Sequence, residues 1–506
     1  MRRNPAFLLA AVLAAAPFAV AVAQPPASAP KAATTTAPTA AVNASSFRIT
    51  LDPTLHAAPL NGRVYIVLSK GDREPRRQMG NWFGKTQILA RDVTNSSGPI
   101  DLGTQSLAWP DAFDKIPPGE YQAQAVARLS LDSPHVGSGE GDLYSDPVAI
   151  NFTREGPGAG ALELKLSRIA HEAPFKESDR VKEVTIVSPS LSKFYAREIK
   201  VSAGVVLPEG WKDDPAINYP TVYFITGFGG SHKSASQMMR MLPSGGPAAI
   251  LVVPDPSCHY GHSVFADSAN NGPRGQSLIE ELIPAVEEKF HGARSADRRF
   301  LTGISSGGWG SLWLQITYPD SFNGVWSHCP DPVDFRDFQR IPLYDKSANM
   351  YTDDKGHKRP LARRGTEPSL WYEDFVRQEW ALGDGGQIQS FEAVFSPRGP
   401  DGRPKLLFDR ATGNVNPDVA RSWEKYDINL ILERNWPALA PKLQGKLHIY
   451  AGALDTFYLD GAAKLLKETL IKLGSDAEVE IVPEMPHTIY PAGMAAMWKT
   501  IAEKCK

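Results

Sequence analysis

Between Arg299 and Ile316 the chain changes local structure in a way that few folds accommodate. Phe300-Leu301-Thr302-Gly303-Ile304 is a short apolar run that ends in Gly303-Ile304-Ser305-Ser306-Gly307. Ser311-Leu312-Trp313-Leu314-Gln315-Ile316 then continues with helical spacing. Strand, sharp turn, helix is the context in which Gly-x-Ser-x-Gly lifts a serine hydroxyl clear of a sheet. Gly303 and Gly307 lack the Cβ atoms that would collide where the strand end and the helix start pass each other. A near match, Gly261-His262-Ser263-Val264-Phe265, lacks the second glycine.

The flanking chain supports that reading. From Ala161 onward strands and helices alternate. Val184 to Val187 and Ala196 to Val206 read as an opening antiparallel pair. Thr221 to Thr226 is a buried-type strand that runs into Gly227-Phe228-Gly229-Gly230-Ser231, and Ala249 to Val253 is another. Leu278, Leu282, Val286 and Phe290 keep one face of a helix, with Glu280, Glu287 and Glu288 facing water. The elbow strand and its helix follow, and the helix stops at Tyr318-Pro319-Asp320. Val325-Trp326-Ser327, Lys446 to Ala451 and Val479 to Val482 supply three more strands, with a helix over Ala462 to Leu473. Such a series predicts an α/β domain over 161–506 with a mostly parallel, doubly wound sheet. Polar, turn-rich and helical sequence at about 350–436 reads as an insertion over the carboxyl ends of the strands, where α/β proteins bind ligands.

Ahead of this domain the signals differ. Met1-Arg2-Arg3, an apolar run from Ala6 to Ala23 and Ala21-Val22-Ala23 before Gln24 read as a signal peptide over 1–23, with export to the periplasm or beyond as the expected destination. Residues 24–45, mostly Ala, Pro, Thr and Ser, cannot bury apolar surface and are expected to be a disordered linker. Over 46–155, Phe47 to Leu51, Arg63 to Leu68, Tyr121 to Ala127 and Val148 to Phe152 are short β-type runs separated by Gly/Pro turns. They predict an all-β, immunoglobulin-like sandwich, with Trp82, Phe83 and Trp109 as aromatics that either fill its core or stack on a sugar. Gly156 to Gly160 reads as a domain boundary. No later run is long and apolar enough to span a bilayer. A formal net charge of −2 gives no reason to expect nucleic acid or an anionic membrane as partner. Three cysteines allow one disulfide, and the sequence assigns no pair.

A serine hydroxyl needs a base to remove its proton, and the base needs a third group to hold its tautomer. In an α/β-hydrolase sheet the order is Ser, then an acid, then His, on loops after successive strands. The strand ending at Ala451 is followed by Gly452-Ala453-Leu454-Asp455, and the strand ending at Val482 by Pro483-Glu484-Met485-Pro486-His487. One loop, one helix and one strand separate the two. Ser305, Asp455 and His487 are therefore the candidate nucleophile, orienting acid and general base. Asp460 reads as the cap of the next helix, and Asp331 or Asp334 as rival acids after the strand that follows the elbow. Oxyanion donors are expected at the Ser306 amide and on the glycine loop at Phe228, with Gly229 next. His262, Trp309 and Phe457 are candidate pocket residues. Cys258-His259-Tyr260-Gly261-His262 matches no closed zinc pattern, so no metal is assigned. No phosphate-binding glycine motif follows a strand, so no cofactor is expected either.

Phe265-Ala266-Asp267-Ser268-Ala269-Asn270-Asn271-Gly272-Pro273, Glu281-Leu282-Ile283-Pro284, the elbow through Trp309, and Tyr318-Pro319-Asp320 together resemble the putative-esterase (esterase D-like) family of α/β-hydrolases. This family includes enterochelin, feruloyl and acetyl-xylan esterases, S-formylglutathione hydrolases and mycolyltransferases. The resemblance runs over roughly Val181 to Glu503 outside the insertion and implies Ser305, Asp455 and His487 as the triad. Enterochelin-type members are similar also in carrying a β-sandwich ahead of the hydrolase domain. Many members have His-Gly where this chain has Thr226-Gly227, and the insertion matches no substrate class. The implied activity is hydrolysis of a carboxylic ester, small or carbohydrate-linked. Acyl transfer by the same residues, or binding on a hydrolase scaffold without catalysis, are the alternatives. The oligomeric state is left open.

Overall fold

The computed structural model describes residues 42–56, 59–153, 160–243 and 245–505. The expected signal peptide at 1–23, nearly all of the linker and most of the Gly156 to Gly160 boundary lie outside the described residues.

Among the described residues, ten strands between Val42 and Ile169 share one hydrogen-bonded network. Its longer members are β1 (Val42–Leu51), β2 (Leu60–Ser69), β3 (Gln87–Ser96), β4 (Gly119–Arg128), β5 (Val148–Phe152) and β6 (Gly160–Leu166). β2 lies antiparallel between β3 and β4, whereas β1 runs parallel to both β5 and β6. Alternate residues of these strands (Phe47 and Ile49, Val64, Ile66 and Leu68) point into one apolar core. The opposite face of β2 to β4 is not left to solvent. Tyr65, Val67, Ile88, Ala90 and Val126 enclose Leu382 from the second unit. Trp109 is buried, Phe83 is 52% exposed, and Trp82 lies between the two units.

The second unit is built on an eight-stranded sheet, again among the described residues. Its strands are β7 (Val181–Val187), β8 (Lys200–Val206), β9 (Thr221–Ile225), β10 (Ile250–Pro254), β11 (Arg299–Ile304), β12 (Val325–His328), β13 (Leu447–Gly452) and β14 (Glu478–Val482). The spatial order is β7-β8-β10-β9-β11-β12-β13-β14. The first two pairings are antiparallel and the other five parallel. β9, β10 and β11 are apolar on both faces, as strands with helices on either side must be. From β9 the chain crosses to β10 on one side and then to β11 on the other. The crevice between the β9 and β11 ends is thus a topological switch point. This is the α/β-hydrolase arrangement.

Two local expectations are corrected. Glu287 does not face water: it is buried, receives two hydrogen bonds of 2.7 Å from Arg299 and one of 3.1 Å from Tyr223 Oη. A buried carboxylate is tolerated there because the guanidinium at the start of β11 neutralises it. Asp460 opens its helix but makes no capping bond; its carboxylate binds Arg340, Arg363 and Lys464. The insertion supplies helices α2 (Tyr372–Leu382) and α3 (Gln387–Phe395) and a hairpin pairing Pro360–Arg364 with Glu367–Trp371.

The elbow helix α1 (Ser306–Thr317) is almost wholly buried and pressed against the sheet. A Cβ on Gly307 would stand 2.0 Å from the Ile225 carbonyl oxygen, and one on Gly303 2.2 Å from that of Gly307. Both obstacles are backbone and cannot swing aside. Gly307→Ala should therefore cost about 3 kcal/mol in denaturant unfolding, while Gly98→Ala, with no heavy atom within 4 Å of the new methyl, stays within about 0.5 kcal/mol of wild type.

Candidate active site

Ser305 sits between β11 and α1 with φ 60° and ψ −128°, a conformation that non-glycine residues rarely adopt. What holds it there is backbone. Its N–H is shared between the carbonyls of His328 (3.0 Å) and Cys329 (3.1 Å), and its own carbonyl accepts from Asp331 N–H at 3.2 Å. The Ser305 hydroxyl donates to Asp331 Oδ1 at 3.4 Å and the Ser306 hydroxyl to Asp331 Oδ2 at 2.5 Å. The Ser306 amide opens α1, where helix geometry provides no intrahelical acceptor.

Asp455 and His487 follow β13 and β14. Gly452 lets the two loops close on each other, since a Cβ there would be 2.0 Å from the Met485 carbonyl oxygen. Ala453 N–H donates to Val482 O at 2.8 Å and Leu454 N–H to Met485 O at 3.1 Å. This zipper brings Asp455 Oδ2 to 2.7 Å from His487 Nδ1. The Asp455 side chain is inaccessible to solvent and also accepts from the Phe457 and Leu459 amides. Burial pushes the Asp455 carboxyl up, but the His487 ring and those amides outweigh it and hold the carboxyl below its ordinary value. For His487 burial opposes the cation, and Asp455 overrides it, raising the imidazole well above its usual range.

The loop after β9 reaches the elbow directly. A Cβ on Gly227 would lie 3.3 Å from Ser305 Cβ and 3.9 Å from Ser305 Oγ. Phe228 and Gly229 follow on the same loop, and Gly229 has φ 78°. The start of the loop is held by His262. Its Nδ1 accepts from Val264 N–H, which leaves the proton on Nε2 for the Thr226 carbonyl at 2.9 Å. Burial lowers its pKa to about 4, so the ring stays neutral in that role. His262 thus supports the loop after β9 from behind as well as bordering the cavity.

Of the other expected pocket residues, Phe457 lines the cavity and sets its edge against the His487 ring, with centroids 5.0 Å apart. Trp309 does not line it. It is buried on the far side of α1, stacked on Trp313 and packed against Phe395 of the insertion, because its helix is enclosed on every face. Asp331 is the rival acid that does reach Ser305, and burial raises it to about 6. Asp334 is instead bound to Arg336 and Asn429.

Two of the residues gathered here, Arg363 and Gln387, carry no sequence signal, and Trp82 is read in the sequence only as a core or sugar-stacking aromatic. Arg363 of the insertion donates to the Asp455 and Ala453 carbonyls at 2.8 and 3.1 Å, bracing the acid loop. Gln387, at the start of α3, reaches Ser306 Oγ at 3.5 Å. Trp82 comes from the all-β unit. Only the fold brings these residues close. The donor atoms of Cys329, Asp455 and His487 lie within 4.8 Å of one another. Two of them already bond to each other, and burial raises the Cys329 thiol, so the set is a hydrogen-bonded Asp–His pair beside a protonated thiol. In the Cys258 to His262 loop, His259 Nε2 pairs with Asp384 at 3.1 Å and His262 holds the β9 end.

Residues 192–390 match the family model described as Putative esterase. The match bears out the resemblance carried by the motifs and supports an ester hydrolase of α/β-hydrolase fold. No curated protein matches the chain. Similar solved structures include a ferulic acid esterase at 14% identity, covering 65% of this chain and 99% of that one with a TM-score of 0.41. An S-formylglutathione hydrolase from Agrobacterium tumefaciens is 15% identical, over 64% of this chain and 95% of that one, with a TM-score of 0.38. A ferulic acid esterase from Anaeromyces mucronatus, in complex with ferulic acid, is 16% identical over 65% and 93% respectively, with a TM-score of 0.33.

The raised His487 and lowered Asp455 give the pair opposite pH signatures. The His487 contribution to stability is complete below the unfolded imidazole value of about 6.5 and is lost as pH rises through the folded value. The Asp455 contribution is lost as pH falls through its own folded value. Histidine Hε1 resonances followed by NMR should show His487 titrating above about 6.5, and Asp455→Asn should bring that titration down.

Proposed function

We propose that this chain is an exported serine carboxylic-ester hydrolase working through an acyl-enzyme. The observation that carries the reading is the 2.7 Å Asp455–His487 pair on successive strand ends, in which His487 lines the same cavity as the strained Ser305 and Asp455 is buried behind it. Asp455 holds the proton on His487 Nδ1, leaving Nε2 free to act as base. In the resting arrangement the Ser305 hydroxyl is turned to Asp331; on binding an ester it swings to His487 Nε2, loses its proton and attacks the carbonyl carbon. The Ser306 and Phe228 amides, with Gly229 next on the loop, receive the oxyanion. His487 then protonates the departing alcohol, and water, deprotonated by the same ring, releases the acid and restores Ser305.

Ser305 and His487 line a cleft of about 2760 Å³ that runs on past them to Lys70 and Tyr121 of the all-β unit and to Trp498, against roughly 300–1,000 Å³ for a site that encloses a small ligand. It supports a bulky ester, such as a carbohydrate-linked one, over a short-chain metabolite. Export rests on the basic start, apolar run and Ala-x-Ala end of 1–23. The all-β unit is read as an immunoglobulin-like sandwich whose strands also join across its layers.

Ser305→Ala should abolish hydrolysis of a short-chain nitrophenyl ester and covalent labelling by a fluorophosphonate while leaving the thermal melt in place; retention of most activity would sink the assignment. Asp455→Asn should lower kcat by roughly 10⁴ and, by releasing the raised His487, move the acid limb of the kcat/KM profile to lower pH.

A further inference from the structure

We propose that Trp82, on the loop between β2 and β3 of the all-β unit, is a positioning residue for the catalytic centre of the other unit. The proposal rests on the roles of Phe228 and His487 in the proposed ester hydrolysis. The Trp82 ring stacks on Phe228 (centroids 5.7 Å, planes 23° apart) and meets Phe457 edge-on at 6.0 Å. Phe457 in turn meets His487 edge-on at 5.0 Å. One indole therefore touches the residue that offers the oxyanion amide and the residue that backs the general base.

Local sequence explains why these two residues need an outside support. Phe228 is flanked by Gly227, Gly229 and Gly230, so its backbone has little intrinsic stiffness. The direction of its N–H is then set by how its ring is held, and Trp82 is what stacks on that ring. Trp82 is itself fixed from the insertion. Phe375 of α2 meets it edge-on at 5.1 Å, and Gln378 of the same helix donates to the Asn81 carbonyl at 2.9 Å. The docking beneath is firm: Tyr65 Oη donates to the Leu382 carbonyl at 2.6 Å, and Gly385 passes so close to Pro134 that a Cβ would stand 2.6 Å from its carbonyl oxygen. The all-β unit thereby sets oxyanion geometry in an active site whose nucleophile, acid and base it does not supply.

The test is steady-state kinetics of the full chain on a nitrophenyl acetate, whose acyl group is too small to need the cavity wall. Trp82→Ala should lower kcat at least tenfold with KM within twofold, and Trp82→Phe, which restores a stacking ring, should recover at least a third of the wild-type kcat. Gln378→Leu, which releases the Asn81 tether, should lower kcat two- to fivefold. A Trp82→Ala enzyme with wild-type kcat, or with raised KM and unchanged kcat, would reduce Trp82 to a cavity wall and overturn the proposal; so would a kcat loss that Trp82→Phe does not recover. If Trp82→Ala does not fold, an unchanged kcat in Gln378→Leu overturns it instead. A Ser305→Ala enzyme that stays active would refute the site itself, whereas an inactive one beside a fully active Trp82→Ala refutes only this step.

Discussion

The α/β unit depends on one constraint: a helix must lie close enough to a parallel sheet for backbone to touch backbone. At the start of α1 the carbonyls of Ile225, Thr226, His328 and Val264 occupy the places where side chains of residues 307, 308 and 310 would be. Glycine at those positions removes the obstacle, and the resulting approach leaves the Ser305 N–H between two carbonyls. The strained φ of Ser305 follows from this clamp, since the surrounding hydrogen bonds over-determine it. The same closeness brings Gly227 against Ser305, so the elbow and the loop after β9 share one packing contact.

That constraint is local along the chain, which is why the α/β framework and the positions of Ser305, Asp455 and His487 are legible in the amino-acid sequence. Each follows an apolar run, and the alternation of such runs with helical stretches reports a mostly parallel sheet with loops gathered at its strand ends. What is illegible there has long-range causes. Trp309 has the composition of a pocket aromatic, but the far side of α1 is covered by Phe395, distant in sequence. Glu287 fits the polar stripe of its helix, yet Arg299 at the foot of β11 draws it inward. Periodicity cannot report either partner.

The insertion has the least periodic sequence of the catalytic unit, and it is where the fold adds most. It reaches the acid loop through Arg363, the Ser306 hydroxyl through Gln387 and the all-β unit through Leu382. A single excursion between β12 and β13 therefore braces the Asp455 loop and the elbow and docks the other unit. Residues that serve by bracing leave no motif, because any donor of the right reach will do, whereas a nucleophile or base must be one of a few residue types.

The charges around Ser305 show how environment divides the work among like groups. Asp455 and Asp331 are both buried carboxylates near the elbow. Asp455 faces an imidazole and two backbone N–H groups and is held low; Asp331 faces two hydroxyls, and burial carries it to about 6. The histidines divide in the same way. His487 is drawn toward the cation by Asp455, while His262, with a carbonyl and an amide for partners, falls to about 4. Residues whose environments push their ionisation apart can hold opposite protonation states side by side. At neutral pH the Asp455 carboxylate thus balances a positive charge on His487 on one side of Ser305, and on the other side His262 donates a hydrogen bond without bringing a second positive charge next to it.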